Sequence, residues 1–122
     1  PLAFKYLQEN ISLNNVADKM KGILGDNRTA LAGLKKIADR VITGFFASDN
    51  EQIKRAIQLC KAGATLHYHE AVPSKNELKE RPVKRVKTIA HQEGREAKIT
   101  LVKRVKKYAP GVAHMVLDAE II

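Results

Sequence analysis

Val83-Lys84-Arg85-Val86-Lys87-Thr88-Ile89-Ala90 is followed 19 residues later by Val102-Lys103-Arg104-Val105-Lys106-Lys107-Tyr108-Ala109, with six of eight positions identical. How this doubled word folds decides the architecture of the second half of the chain. As helices, Val83, Val86 and Ala90 align on one face, as do Val102, Val105 and Ala109; Pro82 suits a first helical position and Gly94 a stop. As strands, the β-branched residues of 83–89 and 99–105 fit a sheet, and residues 92–95 turn a hairpin about Gly94. The twisted hairpin is preferred, because it joins the flanking strands in one antiparallel sheet. Two copies are too few for a solenoid, which needs at least about three units.

Outward from the doubled word, the flanks read as strands. Leu66, Tyr68, Glu70 and Val72 alternate with Thr65, His67, His69 and Ala71 before Pro73 ends the run. Ser74 and Glu77 offer a capping box for a short helical turn. At the end of the chain Ala113, Met115, Leu117, Ala119 and Ile121 share a core face, with Val112, His114, Val116, Asp118 and Glu120 on the other.

The first half reads as about four short helices. Residues 2–9 form one. Ser12 caps a second carrying Leu13, Val16, Ala17, Met20 and Leu24, stopped by Gly25. Asp26 or Asn27 opens a third whose apolar positions run from Leu31 through Leu34, Ile37, Val41 and Ile42 to Phe45 and Phe46. Ser48 and Glu51 form a capping box for a fourth carrying Ile53, Ala56, Ile57 and Cys60, closed by Gly63. The expected fold is α+β: a helical N-terminal half (1–63) packed on a small antiparallel sheet from the C-terminal half (64–122), in a single domain spanning 1–122.

Composition narrows the function. Lys and Arg number 22 against 13 Asp and Glu, for a net charge of +9. Residues 79–107 hold eleven Lys or Arg and three Glu, so nearly all the excess lies in that basic segment. A local field of this kind suits a polyanion better than a diffuse one does. One cysteine allows neither an internal disulfide nor a Cys-pair zinc site. No apolar run is long enough for a membrane span, and no signal-peptide pattern is present, so an intracellular, soluble protein with no membrane partner is expected.

The expected function is non-enzymatic, largely sequence-independent binding of nucleic acid, DNA or RNA, through the phosphate backbone. Lys84, Arg85, Lys87, Arg95, Lys98, Lys103, Arg104, Lys106 and Lys107 are the expected contacts, because phosphates need cations and N–H donors held on a rigid element. The alternative is a structural subunit of a larger assembly, such as a virion component. In that reading residues 112–122 add to a neighbour's sheet, or the chain forms a homo-oligomer. A helix-turn-helix around residues 16–34 is weaker, because its spacing is off. His67-x-His69, with His114 and Asp118, places candidate metal ligands on one strand face, but exposed strand histidines are the preferred account and no metal is expected. Cys60 falls on an apolar stripe and reads as a buried hydrophobe. No phosphate-binding glycine loop, G-x-S-x-G or H-E-x-x-H is present, so neither a catalytic residue nor a cofactor is expected.

Overall fold

The computed structural model describes residues 1–44, 49–73 and 80–122. Among these residues three helices and four strands follow one another: α1 (Leu2–Leu13), β1 (Ala38–Ile42), α2 (Asn50–Leu59), β2 (Cys60–Pro73), α3 (Glu80–Gln92), β3 (Ala97–Ala109) and β4 (Val112–Ile121). The chain divides into two compact units, Pro1–Ala32 and Gly33–Ile122.

In the first unit, α1 covers the expected residues 2–9 and continues to Leu13. Ser12 is therefore inside a helix rather than capping the next one. The helix stops where Asn15 turns to φ 53°, a left-handed value that Asn tolerates. The expected second helix is replaced by turns, and the helix-turn-helix reading goes with it. Asp26 closes one of these turns: its carboxylate accepts from the Arg28 backbone N–H at 2.8 Å and from Arg28 Nε at 2.9 Å. These two hydrogen bonds lower its carboxyl to about 2.

The expected third helix also fails, for a local reason. Gly33 takes φ +84° and Lys36 φ 51°, and no α-helix passes through such residues. Its apolar residues beyond Ile37 become β1 instead. Phe45, Phe46 and Ser48 lie outside the described residues, as does the helical turn expected at Ser74 and Glu77. The fourth helix is present as α2. Its cap is Asp49, whose side chain accepts the Glu51 N–H at 2.9 Å. Ile53, Ala56, Ile57 and Leu59 form its buried stripe. Gly63, expected to close the helix, stands within β2.

The sheet order is β1-β2-β4-β3. β1 pairs β2 in parallel, with α2 as the crossover; β2–β4 and β4–β3 are antiparallel. The sheet is therefore mixed, and helices alternate with strands instead of filling a separate half, which overturns the expected α+β layout. The doubled word divides: its first copy lies in α3 and its second in β3. The hairpin exists, but it joins β3 to β4. Pro110 and Gly111, the latter at φ 73°, make its two-residue turn.

Ile53, Ala56 and Ile57 of α2 and Val86, Ile89 and Ala90 of α3 cluster with Leu66 and Tyr68 of β2 and Leu117, Ala119 and Ile121 of β4. Both helices thus cover one sheet face. Each large side chain buried there contributes roughly 1.5–3 kcal/mol. The alternation expected for β2 and β4 holds: Leu66, Tyr68, Glu70 and Val72, and Ala113, Met115, Leu117, Ala119 and Ile121, are all buried. β4 has β2 on one side and β3 on the other, so it cannot add to a neighbour's sheet.

Candidate functional site

β1, β2 and β3 all run toward one edge of the sheet, and α2 and α3 both start there. In open α/β sheets this carboxyl edge is where ligands are held. Two basic groups of residues reach it, one from each copy of the doubled word.

The first group is the end of β3. Residues 103–108 are exposed throughout, with Val105 at 48% and Tyr108 at 55%. Arg104 and Lys107 lie opposite Met115 and Ala113, on the helix side of the sheet. Lys103 and Lys106 lie opposite Val116 and His114, on the other side. Register shifts after Arg104 and after Lys107 twist this end of the strand. Cations therefore project from both faces of one protruding strand.

The second group surrounds Glu70, the one charge in the buried alternation of β2. Glu70 is 3% exposed. Arg85 Nη1 donates to Glu70 Oε1 at 2.5 Å, and Arg81 Nε lies 3.8 Å from the same oxygen. Arg85 Nε also donates to Asn50 Oδ1 at 3.0 Å, tying α3 to the start of α2. Among the described residues Glu70 Oε2 is buried with no hydrogen-bond partner. Burial first, and then the Glu70 charge, push the neighbouring Tyr68 phenol up. Above these groups opens a cleft of about 550 Å³ lined by Asn50, Arg81, Lys84, Arg85, Thr88 and Gln92.

The expected contacts thus separate. Lys103, Arg104, Lys106 and Lys107 share the β3 tip, and Lys84 lines the cleft. Lys87 is exposed farther along α3. Arg85 is turned inward to Glu70. Arg95 is also engaged internally: it donates to the carbonyls of Ile57 (2.8 Å), Cys60 (2.6 Å) and Lys61 (3.0 Å). It closes the end of α2 at the opposite edge of the sheet, near which Lys98 starts β3. Asn50 and Glu70 are the residues that sequence reasoning passed over. The signal for Glu70 was available, since a carboxylate on a core face must find a cation.

The sheet face opposite α2 and α3 brings the histidines together. His67 Nδ1 is 2.6 Å from Asp118 Oδ1, and its Nε2 is 2.6 Å from Arg40 Nη1. The carboxylate accepts from Nδ1, and the guanidinium lies against Nε2. His69 Nδ1 meets His114 Nε2 at 2.9 Å, so one ring must donate and the other accept. No metal-holding group of three such ligands occurs among the described residues. Cys60 is buried, and burial pushes its thiol up to about 11.

The sequence matches the family model described as the TRM5/TYW2 methyltransferase domain over residues 1–100. It is 39% identical over 121 residues to the tRNA(Phe) (4-demethylwyosine(37)-C(7)) aminocarboxypropyltransferase of Pyrococcus horikoshii, covering 99% of this chain and 42% of that protein. It is 40% identical over 120 residues to the same-named protein of Methanocaldococcus jannaschii, covering 98% and 47%. The chain thus spans under half the length of these relatives. The crystal structure of M. jannaschii TYW2 in complex with AdoMet superposes with a TM-score of 0.90 at 40% identity, covering 99% of this chain and 53% of that one. The mixed sheet is accordingly part of a methyltransferase-like fold. These transferase matches overturn the expectation of a non-enzymatic nucleic-acid-binding protein, and with it the structural, virion-assembly alternative. No helix among the described residues is long and apolar enough to cross a membrane.

Proposed function

Because the chain belongs to the TRM5/TYW2 methyltransferase domain family, we propose that it forms part of a transferase acting on a base of tRNA, and that its basic carboxyl edge seats the RNA backbone. The observation that carries the RNA contact is the β3 tip, where Lys103, Arg104, Lys106 and Lys107 are exposed on two faces of one strand. A protruding strand with cations on both sides reaches phosphates that a flat sheet face does not. Lys84 and Lys87 on α3 extend the same field, and Lys98 lies outside its strongest part. A tRNA substrate puts the protein inside the cell.

The solved relative was captured with AdoMet. AdoMet carries a sulfonium and an ammonium cation and one carboxylate, so the α2–α3 cleft, lined by Arg81, Lys84 and Arg85, suits only its carboxylate end. The basic edge of this part of the chain works by attracting anions.

The test is binding of labelled tRNA, with duplex DNA for comparison, between ~50 and 200 mM salt, where counterion release makes affinity steep. Reversing Lys103, Arg104, Lys106 and Lys107 to Glu removes up to four phosphate contacts. The log–log salt slope should then flatten by roughly 3, at about 0.7–0.9 per phosphate. Unchanged tRNA affinity and slope in the reversed variant would refute the proposal.

A further inference from the structure

We infer that the His69–His114 pair makes RNA seating at the β3 tip proton-linked: the pair takes up a proton as phosphates settle on Lys103 and Lys106. This coupling rests on the RNA reading of that tip and adds a second participant to it. His69 Nδ1 and His114 Nε2 lie 2.9 Å apart, with ring centroids 5.2 Å apart and planes tilted by 39°. A contact of this length needs one N–H, donated by one ring to the bare nitrogen of the other. An extra proton on the donating ring turns the contact into a charge-assisted hydrogen bond. A second extra proton would set two N–H groups against each other across the same 2.9 Å. The pair therefore carries one added charge with its contact intact, and that charge belongs to both rings. It acts through its field and offers the RNA no open donor.

The surroundings couple that charge to the tip. Among the described residues, the sheet face that holds the pair also carries Arg40 of β1, His67 of β2, Lys98, Lys103 and Lys106 of β3, and Asp118 and Glu120 of β4. Away from the tip these charges meet one another. Asp118 is held by His67, Arg40 lies against the same ring, and Glu120 stands opposite Lys98. Toward the tip the neighbours are cations. Lys106 lies directly opposite His114, and Lys103 lies opposite Val116, which faces His69. Opposed residues of antiparallel strands have Cα atoms about 4.5–5.5 Å apart, so a phosphate on either lysine comes near the pair. Burial first, and then the charges of His114 and His67, hold His69 below its ordinary value. A phosphate brings the opposite sign and favours the added proton. Across ~7 Å of largely aqueous surroundings at low salt, one such charge changes affinity by roughly two- to fivefold. Linkage makes the effect reciprocal: RNA favours the proton, and the proton favours RNA.

The test measures binding of labelled tRNA to the 122-residue chain at about pH 8 and about pH 6, in ~50 mM salt. The upper value lies well above the ordinary histidine range, so tRNA binding there and its weakening in K103E/K106E read the RNA seat alone. If K103E/K106E binds as well as the wild-type chain at that pH, the RNA reading fails and the coupling falls with it. If it binds more weakly, the lower pH decides the coupling by itself. Between the two pH values wild-type affinity should rise roughly two- to fivefold more than that of H69Q/H114Q, in which His67 and His91 still titrate. A second reading needs no variant, and it decides the matter if H69Q/H114Q does not fold. NMR follows the His69 ring Cε1–H through a pH titration with and without tRNA, and its midpoint should lie about 0.3–0.7 pH units higher with tRNA bound. An equal rise in affinity in the two proteins, or a His69 midpoint that tRNA leaves unmoved or lowers, overturns the coupling.

Discussion

Glu70→Gln keeps the shape of the side chain and deletes its charge, and its cost follows from the burial around it. Glu70 is 3% exposed, and the Arg85 side chain that faces it is 20% exposed. Removing one partner of a fully buried ion pair costs about 3–5 kcal/mol, mostly because the remaining charge is stranded. Arg85 keeps a fifth of its surface in water and its bond to Asn50, which places the cost near the lower end, ~3 kcal/mol. Arg81, 3.8 Å away and 44% exposed, adds little. With a urea m-value of about 1.5 kcal/mol/M for a domain of this size, the unfolding midpoint should fall by ~2 M. Urea titration followed by far-UV circular dichroism measures it. Replacing both partners, Glu70→Leu with Arg85→Leu, should recover most of the loss, since an apolar pair of similar volume strands no charge. A midpoint shift below ~0.5 M, or a double variant no better than the sum of the two single changes, would refute the buried-pair account.

Arg95→Ala should cost ~2 kcal/mol, because one cation serves the carbonyls of Ile57, Cys60 and Lys61; Tm should drop by roughly 10 °C with tRNA affinity unchanged. An unchanged Tm with weaker RNA binding would reassign Arg95 as a phosphate contact. His69 titrates below the ordinary 6.5, first through burial and then through the charges of His114 and His67. The unfolded chain therefore takes up its proton first, so this contribution is complete above about pH 6.5 and is lost as the pH falls from there toward the lower folded value. His69→Gln should flatten the stability–pH curve below pH 6.5, and an identical slope counts against the pairing. Cys60, buried with its thiol pushed up to about 11, should resist Ellman's reagent at about pH 8 until urea unfolds the chain; labelling of the folded protein within minutes would contradict its burial.

Where one face is buried, the fold was legible. The alternation of β2 and β4 and the stripe of α2 each follow from a single apolar face meeting a single core. β1 was not legible. Ile37, Ala38, Val41 and Ile42 have helical spacing, and a short parallel strand leaves no alternation to read. Gly33 hinted at the break, but the left-handed turn at Lys36 carries no residue signal at all. The candidate site was legible as charge and illegible as geometry. Arg85, Arg95 and Arg104 look alike in the sequence, yet one faces a buried carboxylate, one a set of helix-end carbonyls and one solvent. The family was not legible in composition, periodicity or short motifs, because a sheet edge is assembled from distant elements; it shows only in the sequence as a whole, which matches the TRM5/TYW2 model over residues 1–100.

The doubled word shows how little of an eight-residue pattern is local. Val-Lys-Arg-Val is common to both copies, and it lies on α3 in one and on β3 in the other. The copies differ at Thr88 against Lys107 and at Ile89 against Tyr108. Ile89 continues the stripe begun by Val83 and Val86 and is 4% exposed, so a helix gains a buried face. Tyr108 is 55% exposed and continues nothing, so the second copy has no helical face to bury. The flanks agree with that division. Pro82 lies in the first turn of α3, and Gly94 at φ 69° follows the helix end, whereas Ile99, Thr100 and Leu101 lead the second copy in as strand. Both outcomes deliver cations to the same edge of the sheet, because α3 starts where β3 ends. The apolar residues of the word, with their neighbours, select its secondary structure; its charged residues serve the edge in either conformation.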